Sequence, residues 1–187
     1  MARTLPDLDQ PRYAEWARVS LGVKALVVGL NIFIQGLGKI DAKLVYDDAA
    51  YQALSSEARS TLEVMLRLTD TYTLSQLWVL GAYEATRTID ECARKAPKVL
   101  PKRLSQRILS TKRAFARARM PLAKFEPASA HRKTDFSVAR PAMHRELGIS
   151  WRLSKRFFVS RRHLSDKLLA MLDAIQQHQE RKAARRK

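Results

Sequence analysis

The side chains of this 187-residue chain that could do chemistry are above all cations: 35 Lys and Arg stand against 18 Asp and Glu, a formal charge of +17. Residues 1–90 hold nine basic and eleven acidic side chains, whereas residues 91–187 hold 26 and seven. An excess confined to one half is the electrostatic footprint of a polyanion binder. In that half Arg103, Arg107, Lys112, Arg113 and Arg117 share one helical segment, and Arg152, Lys155, Arg156, Arg161 and Arg162 cluster further on. These ten are the expected nucleic-acid contacts, with RNA or DNA as the partner. Phosphate contacts of this kind supply affinity and little sequence information. Trp151, Phe157 and Phe158 are interleaved among them and could stack on bases. Strand alternation turns Trp151, Phe157 and Val159 inward and leaves Phe158 as the exposed candidate. A solvated basic surface ending in the tail Arg181–Lys187, or an acidic protein partner, would account for the charge as well.

Other chemistry is sparse. His131, His144, His163 and His178 form no i, i+4 pair, and Cys92 is the single cysteine. No metal, no cofactor and no disulfide framework is therefore expected. Neither a glycine-rich phosphate loop nor a serine nucleophile elbow occurs. Two constellations remain. Glu84 and Arg87, three residues apart, can pair on one helix face beside Gln76, Tyr83 and Asp90. That pair is either an exposed helical ion pair or a functional pair facing into a bundle. The second constellation is the run Arg119-Met120-Pro121-Leu122-Ala123-Lys124-Phe125 at the end of a basic helix.

This run resembles the Arg-Asn-x-x-x-His-aromatic motif of the HEPN superfamily (higher eukaryotes and prokaryotes nucleotide-binding), often written RN-x-LAH-F. Arg119, the Leu122–Ala123 pair and Phe125 fit; Met120 replaces the asparagine and Lys124 the histidine. The resemblance implies a helical bundle over roughly residues 13–125, dimers, and a metal-independent ribonuclease of a toxin or phage-defence system. Arg119 and Lys124 would then meet a polar residue of an earlier helix, Glu84 or Arg87. In such an enzyme a histidine of near-neutral pKa moves a proton during 2′-hydroxyl attack while arginine holds the phosphate. A lysine ordinarily stays charged near pH 7, so Lys124 weakens the catalytic expectation and leaves phosphate binding intact. The leading expectation is a binder; the ribonuclease, and a helical subunit of a larger nucleoprotein or defence assembly, are the alternatives. A homodimer or a helical protein partner is compatible with each.

The elements that must position these residues are mostly helices. Trp16, Val19, Val23, Leu26, Val27, Leu30, Phe33, Ile34, Leu37 and Ile40 recur at three- and four-residue steps, predicting one helix from about Pro11 to Lys43. Gly22, Gly29 and Gly36 are spaced by seven on it, either a close-packing face or tolerated accidents. Asp47–Leu54 reads as an extra turn or short helix. Ser55 or Ser56 caps a second long helix reaching about Ala96, with a break or kink at Thr69–Thr73; Pro97 and Pro101 end it and start the next element. Helix three starts at Pro101, and Pro121 kinks or restarts it. Phe125–Gly148 reads as a long loop with a short helix near Ala142–Leu147. Ile149–Leu153 and Phe157–Val159 alternate as a β-hairpin. Ser160 caps a last helix with the stripe Leu164, Leu168, Leu169, Leu172 and Ile175, fraying beyond Gln176. The fold class is mainly α: a helical bundle over residues 1–125, then a basic loop, hairpin, final helix and tail over 126–187, as one domain with an extension. The longest apolar run, Ala25–Ile34, is far short of the roughly 20 residues a bilayer span needs, so no membrane association and a cytoplasmic location are expected.

Overall fold

The structure, a computed structural model, describes residues 7–95 and 100–185. It is mainly α, with six helices and a small antiparallel sheet placed before the last helix. Helix α1 is Gln10–Ser20, capped by Asp9, whose carboxylate accepts the Arg12 N–H at 3.0 Å. A 3-10 turn, Leu21–Ala25, leads to α2, Leu30–Ala53. The single helix expected from Pro11 to Lys43 is thus two. The break spans residues 21–29 and ends at Gly29, whose φ of 83° lies in the left-handed region that costs any other residue a Cβ clash. The three glycines do not share a packing face either. Gly22 lies against the backbone of Gln176, where a Cβ would come within 2.6 Å, while Gly36 has nothing within 4 Å of its missing Cβ. Asp47–Leu54 is the continuation of α2 and not a separate turn.

Ser55 does act as a cap, but of the four-residue helix α3, Ser56–Arg59, before α4 begins at Leu62. Helix α4, Leu62–Lys95, is continuous through the threonines. Thr69, Thr71 and Thr73 each turn the hydroxyl back to the carbonyl four residues earlier, at 2.8–3.0 Å, so no donor is left to break the helix. Pro97 lies outside the described residues. Helix α5, Lys102–Ala123, takes Pro101 as its N-cap and runs through the buried Pro121 to its end.

The expected long loop contains a ten-residue strand, β1, Asp135–His144, which pairs antiparallel with β2, Gly148–Ser154; β2 pairs in turn with β3, Phe158–Ser160. Strand β1 escapes a period-of-two reading because its ladder is irregular between Asp135 and Arg140 and because it carries Pro141. As an edge strand in the order β1-β2-β3 it tolerates a residue without an N–H. The helix expected near Ala142–Leu147 is instead the end of β1 and a tight turn at 145–147, where His144 Nδ1 accepts the N–H groups of Glu146 and Leu147 at 3.1 and 3.2 Å. The second hairpin forms as the alternation predicts, Trp151 facing Val159 across it. Ser160 caps α6, Arg161–Ala184, by accepting the His163 N–H, and all five stripe residues of that helix are buried.

One cluster of buried apolar residues runs from Trp16 to Ile175 and draws on residues before and after Phe125. Trp16, Trp78 and Phe115 form its aromatic spine, with ring centroids 6.2 and 6.0 Å apart. The Trp78 indole N–H donates to the Leu37 carbonyl at 2.9 Å, so the ring is buried with its polar edge satisfied.

Candidate nucleic-acid interface

Helix α5 sorts its side chains by face. Leu104, Ile108, Phe115, Ala118 and Leu122 are buried, whereas Arg103, Arg107 and Arg113 stand exposed on the other side. Among the described residues these three guanidiniums have no ion pair and no side-chain hydrogen bond. At its start α5 borders a cleft of about 610 Å³ whose other wall is the end of α6, so that Arg103 and Arg107 face Gln177, His178 and Arg181. Lys155 and Arg156, also expected contacts, are exposed on the turn between β2 and β3. These five are cations held at the surface with no carboxylate partner among the described residues.

Other expected contacts are committed elsewhere. Lys112 Nζ lies 2.5 Å from the buried Asp90 carboxylate, which Arg94 also reaches at 3.1 Å. Arg117 grips Asp135 with two bonds of 2.8 Å and lies with its guanidinium carbon 3.6 Å from the Phe157 ring centroid. Burial alone would raise the Asp135 pKa, but the bonds and charge of Arg117 outweigh it and hold it below the usual carboxylate range. Arg162 pairs with Asp166 at 3.3 Å. Arg152 donates to the Ser154 and Lys155 carbonyls at 3.2 and 2.9 Å, shaping the β2–β3 turn, and has no acidic partner among the described residues.

Arg161 is the clearest correction. It is fully buried and bridges two aspartates of α2, Asp41 and Asp48, the latter at 2.7 Å. Asp41 also accepts from Arg12, from the Trp16 indole at 2.9 Å and from Ser165 at 2.7 Å, and Asp48 takes the Ile149 N–H at 3.3 Å. Two arginines and two aspartates thereby join α1, α2, β2 and α6. An arginine in the first turn of a helix opposes the helix dipole, and α2 supplies the negative charge that α6 lacks there. Burial pushes the Asp48 pKa up against the opposing pull of Arg161.

The motif residues separate into two groups. Glu84 accepts from Arg87 at 2.7 Å and lies 3.7 Å from Arg119, whose guanidinium sits 4.7 Å above the Tyr83 ring. Arg87 also pairs with Glu91 at 2.7 Å, and the Glu84–Arg87 pair is close to half exposed. These carboxylates, above all Glu84, raise the Arg87 pKa. Glu84, Arg87 and Arg119 therefore meet on the seam between α4 and α5. Lys124, the C-cap of α5, does not join them. The helices run antiparallel, and it is Gln76 that reaches the end of α5, donating to the Leu122 carbonyl at 2.6 Å. Gln76 lies roughly 12 Å along the helix axis from Glu84 at about 1.5 Å per residue. Lys124 is exposed and makes no ion pair among the described residues.

Sequence reasoning missed Arg181 as part of a folded surface. Helix α6 continues past Gln176 because Asp173–Gln177, Gln176–Glu180 and Gln177–Arg181 bond at i, i+4 spacing, a signal legible in a polar run. It also missed Asp41 and Asp48, two acids seven residues apart on one face of an apolar helix. Among the described residues no group of three or more His, Cys, Asp or Glu could hold a metal, and no helix is long and apolar enough to cross a membrane. No family model matches the chain, and neither a curated protein nor a solved structure matches it.

Proposed function

We propose that this protein binds nucleic acid, RNA in the first instance, through the exposed cations of α5, the end of α6 and the β2–β3 turn. What supports the reading is the division among its cations. The inward-facing Arg117 and Arg161 each have a carboxylate, whereas Arg103, Arg107, Arg113, Lys155 and Arg156 face solvent without one among the described residues. Isolated exposed cations repel one another and gain most from a polyanion, whose condensed counterions they displace. The test is anisotropy of a labelled RNA with the Arg103→Ala, Arg107→Ala, Arg113→Ala triple variant and, separately, with residues 182–187 deleted. Loss of binding in the triple variant and its survival in the truncated chain support the reading; loss only on truncation assigns the affinity to the tail.

A second reading is favoured by one observation, the meeting of Glu84, Arg87 and Arg119. In a HEPN-like ribonuclease Arg119 would hold the scissile phosphate. The cluster offers two guanidiniums and carboxylates but no imidazole, and Lys124 lies away from it. Proton transfer at neutral pH therefore has no suited group there. Metal-free cleavage of single-stranded RNA that Arg119→Ala abolishes, with RNA binding retained, would establish this reading over simple binding. We expect wild type to bind without cleaving.

A further inference from the structure

The sheet has a face that the phosphate-binding reading does not use. Residues directly opposite in an antiparallel ladder point to the same side, and residues two apart return to it. The registers Arg140↔Arg152 and Arg152↔Phe158 therefore place two arginines and a phenylalanine in one row across all three strands. The next row on that face is Ala142, Ser150 and Ser160, and His144 follows on β1. Phe158 is 54 % exposed, although its neighbours Val159 and Trp151 are in the core. The Arg152 guanidinium stands 5.4 Å from its ring centroid, and Arg140 lies 4.3 Å from that of Phe136.

Beside Phe158 opens a pocket of about 540 Å³ whose lining includes Met143 and Leu147 together with His144, Ser150, Ser160 and His163. Two serines and two histidines are its polar lining residues. His144 uses Nδ1 to accept two backbone N–H groups, which leaves its Nε2 edge for a ligand. His163 is exposed on the first turn of α6. Lys155 and Arg156 stand on the turn that carries Phe158, without acidic partners among the described residues.

An exposed phenylalanine ring, a small set of hydrogen-bonding side chains and flanking cations without acidic partners among the described residues suit a flat ring attached to a phosphate. We infer that this pocket takes an unpaired nucleobase, so that the preferred ligand is a single strand and not a duplex. The inference rests on the nucleic-acid reading above and adds the ligand class. A base stacked inside a duplex has both faces covered and cannot lie on Phe158, whereas a splayed base of a single strand can. The backbone on either side of that base would run over Arg152, Lys155 and Arg156.

The experiment compares a labelled single-stranded 12-mer RNA with a blunt-ended, loop-free GC-rich duplex of equal phosphate number, by anisotropy at one salt concentration. Wild type should bind the single strand more tightly. Phe158→Ala should weaken single-strand binding on the order of 10-fold, in the range that removal of one stacking aromatic produces, and leave duplex binding unchanged. Phe158→Tyr should retain the single-strand preference. Because Phe158 is exposed, unchanged circular dichroism and melting in both variants separate lost stacking from lost fold. Equal binding of both RNAs by wild type, or a Phe158→Ala effect that is absent or the same on both, overturns the base site. If the Arg103, Arg107, Arg113 triple variant still loses binding in that case, the phosphate-binding reading stands alone. If wild type binds neither RNA, both proposals fall together.

Discussion

At the scale of single residues, the decisive distinction is between a cation that has a carboxylate and one that does not. Arg161 reads in the sequence as part of a basic run, Arg161–Arg162, yet it is the fully buried bridge between Asp41 and Asp48. Removing it by Arg161→Ala leaves two aspartates short of counter-charge, and breaking a buried pair in this way costs about 3–5 kcal/mol. Arg161→Lys keeps one charge but cannot span two carboxylates as a guanidinium does. It should give an intermediate urea midpoint, with RNA affinity per folded molecule unchanged. A fall in affinity without a fall in stability would return Arg161 to the binding surface. The Arg117–Asp135 pair makes a pH prediction. The folded state lowers the Asp135 pKa, so it binds fewer protons there than the unfolded chain. The stability this contributes is present above the ordinary carboxylate value near pH 4 and is lost as pH falls through the lowered one. The stability advantage of wild type over Asp135→Asn should therefore be full at pH 7 and shrink below about pH 4. An advantage independent of pH over that range would show that the ion pair is not its source.

At the scale of elements, periodicity carried the reading wherever one helix face packs against the bundle. The stripe Leu164, Leu168, Leu169, Leu172, Ile175 and its Ser160 cap lie where the pattern puts them. So does the inward turn of Trp151 and Val159, and of Phe157, which is half-buried against the core, with Phe158 left outside. It failed where local geometry overrides the pattern. The apolar stripe runs straight across Gly29 and so conceals the break between α1 and α2, which is a matter of φ and not of hydrophobicity. Strand β1, at the sheet edge with Pro141 and an irregular ladder, lacks the alternation that marks a half-buried strand. The candidate site was legible in charge alone, because pairing partners such as Asp41 and Arg161 lie far apart in the chain and no local spacing connects them. The glycines test the element-scale account. Gly29→Ala forces a Cβ into the left-handed region and should destabilise by about 1–2 kcal/mol. Gly36→Ala, within α2 with open space above it, should stabilise by about 0.5–1 kcal/mol through helix propensity. Thermal melts showing the same sign for both would contradict the break at Gly29 or the open face at Gly36.

At the scale of the whole molecule, the fold places a nearly balanced first half and a strongly basic second half around one core. Internal pairing consumes Lys112, Arg117 and Arg161, so the surface charge available to a polyanion comes from a smaller set than the sequence suggests. The most direct test of this account is the slope of log affinity for RNA against log salt concentration. Each phosphate that a cation neutralises adds roughly 0.7–0.9 to the steepness of that slope. Arg103→Ala, Arg107→Ala, Arg113→Ala together should flatten the slope by about two units. Replacing Lys112 and Arg117 in a chain that still folds should change it little, and deleting residues 182–187 should leave most of it in place. An unchanged slope in the triple variant, or a slope abolished by the deletion alone, would contradict the claim that the folded face of α5 binds nucleic acid.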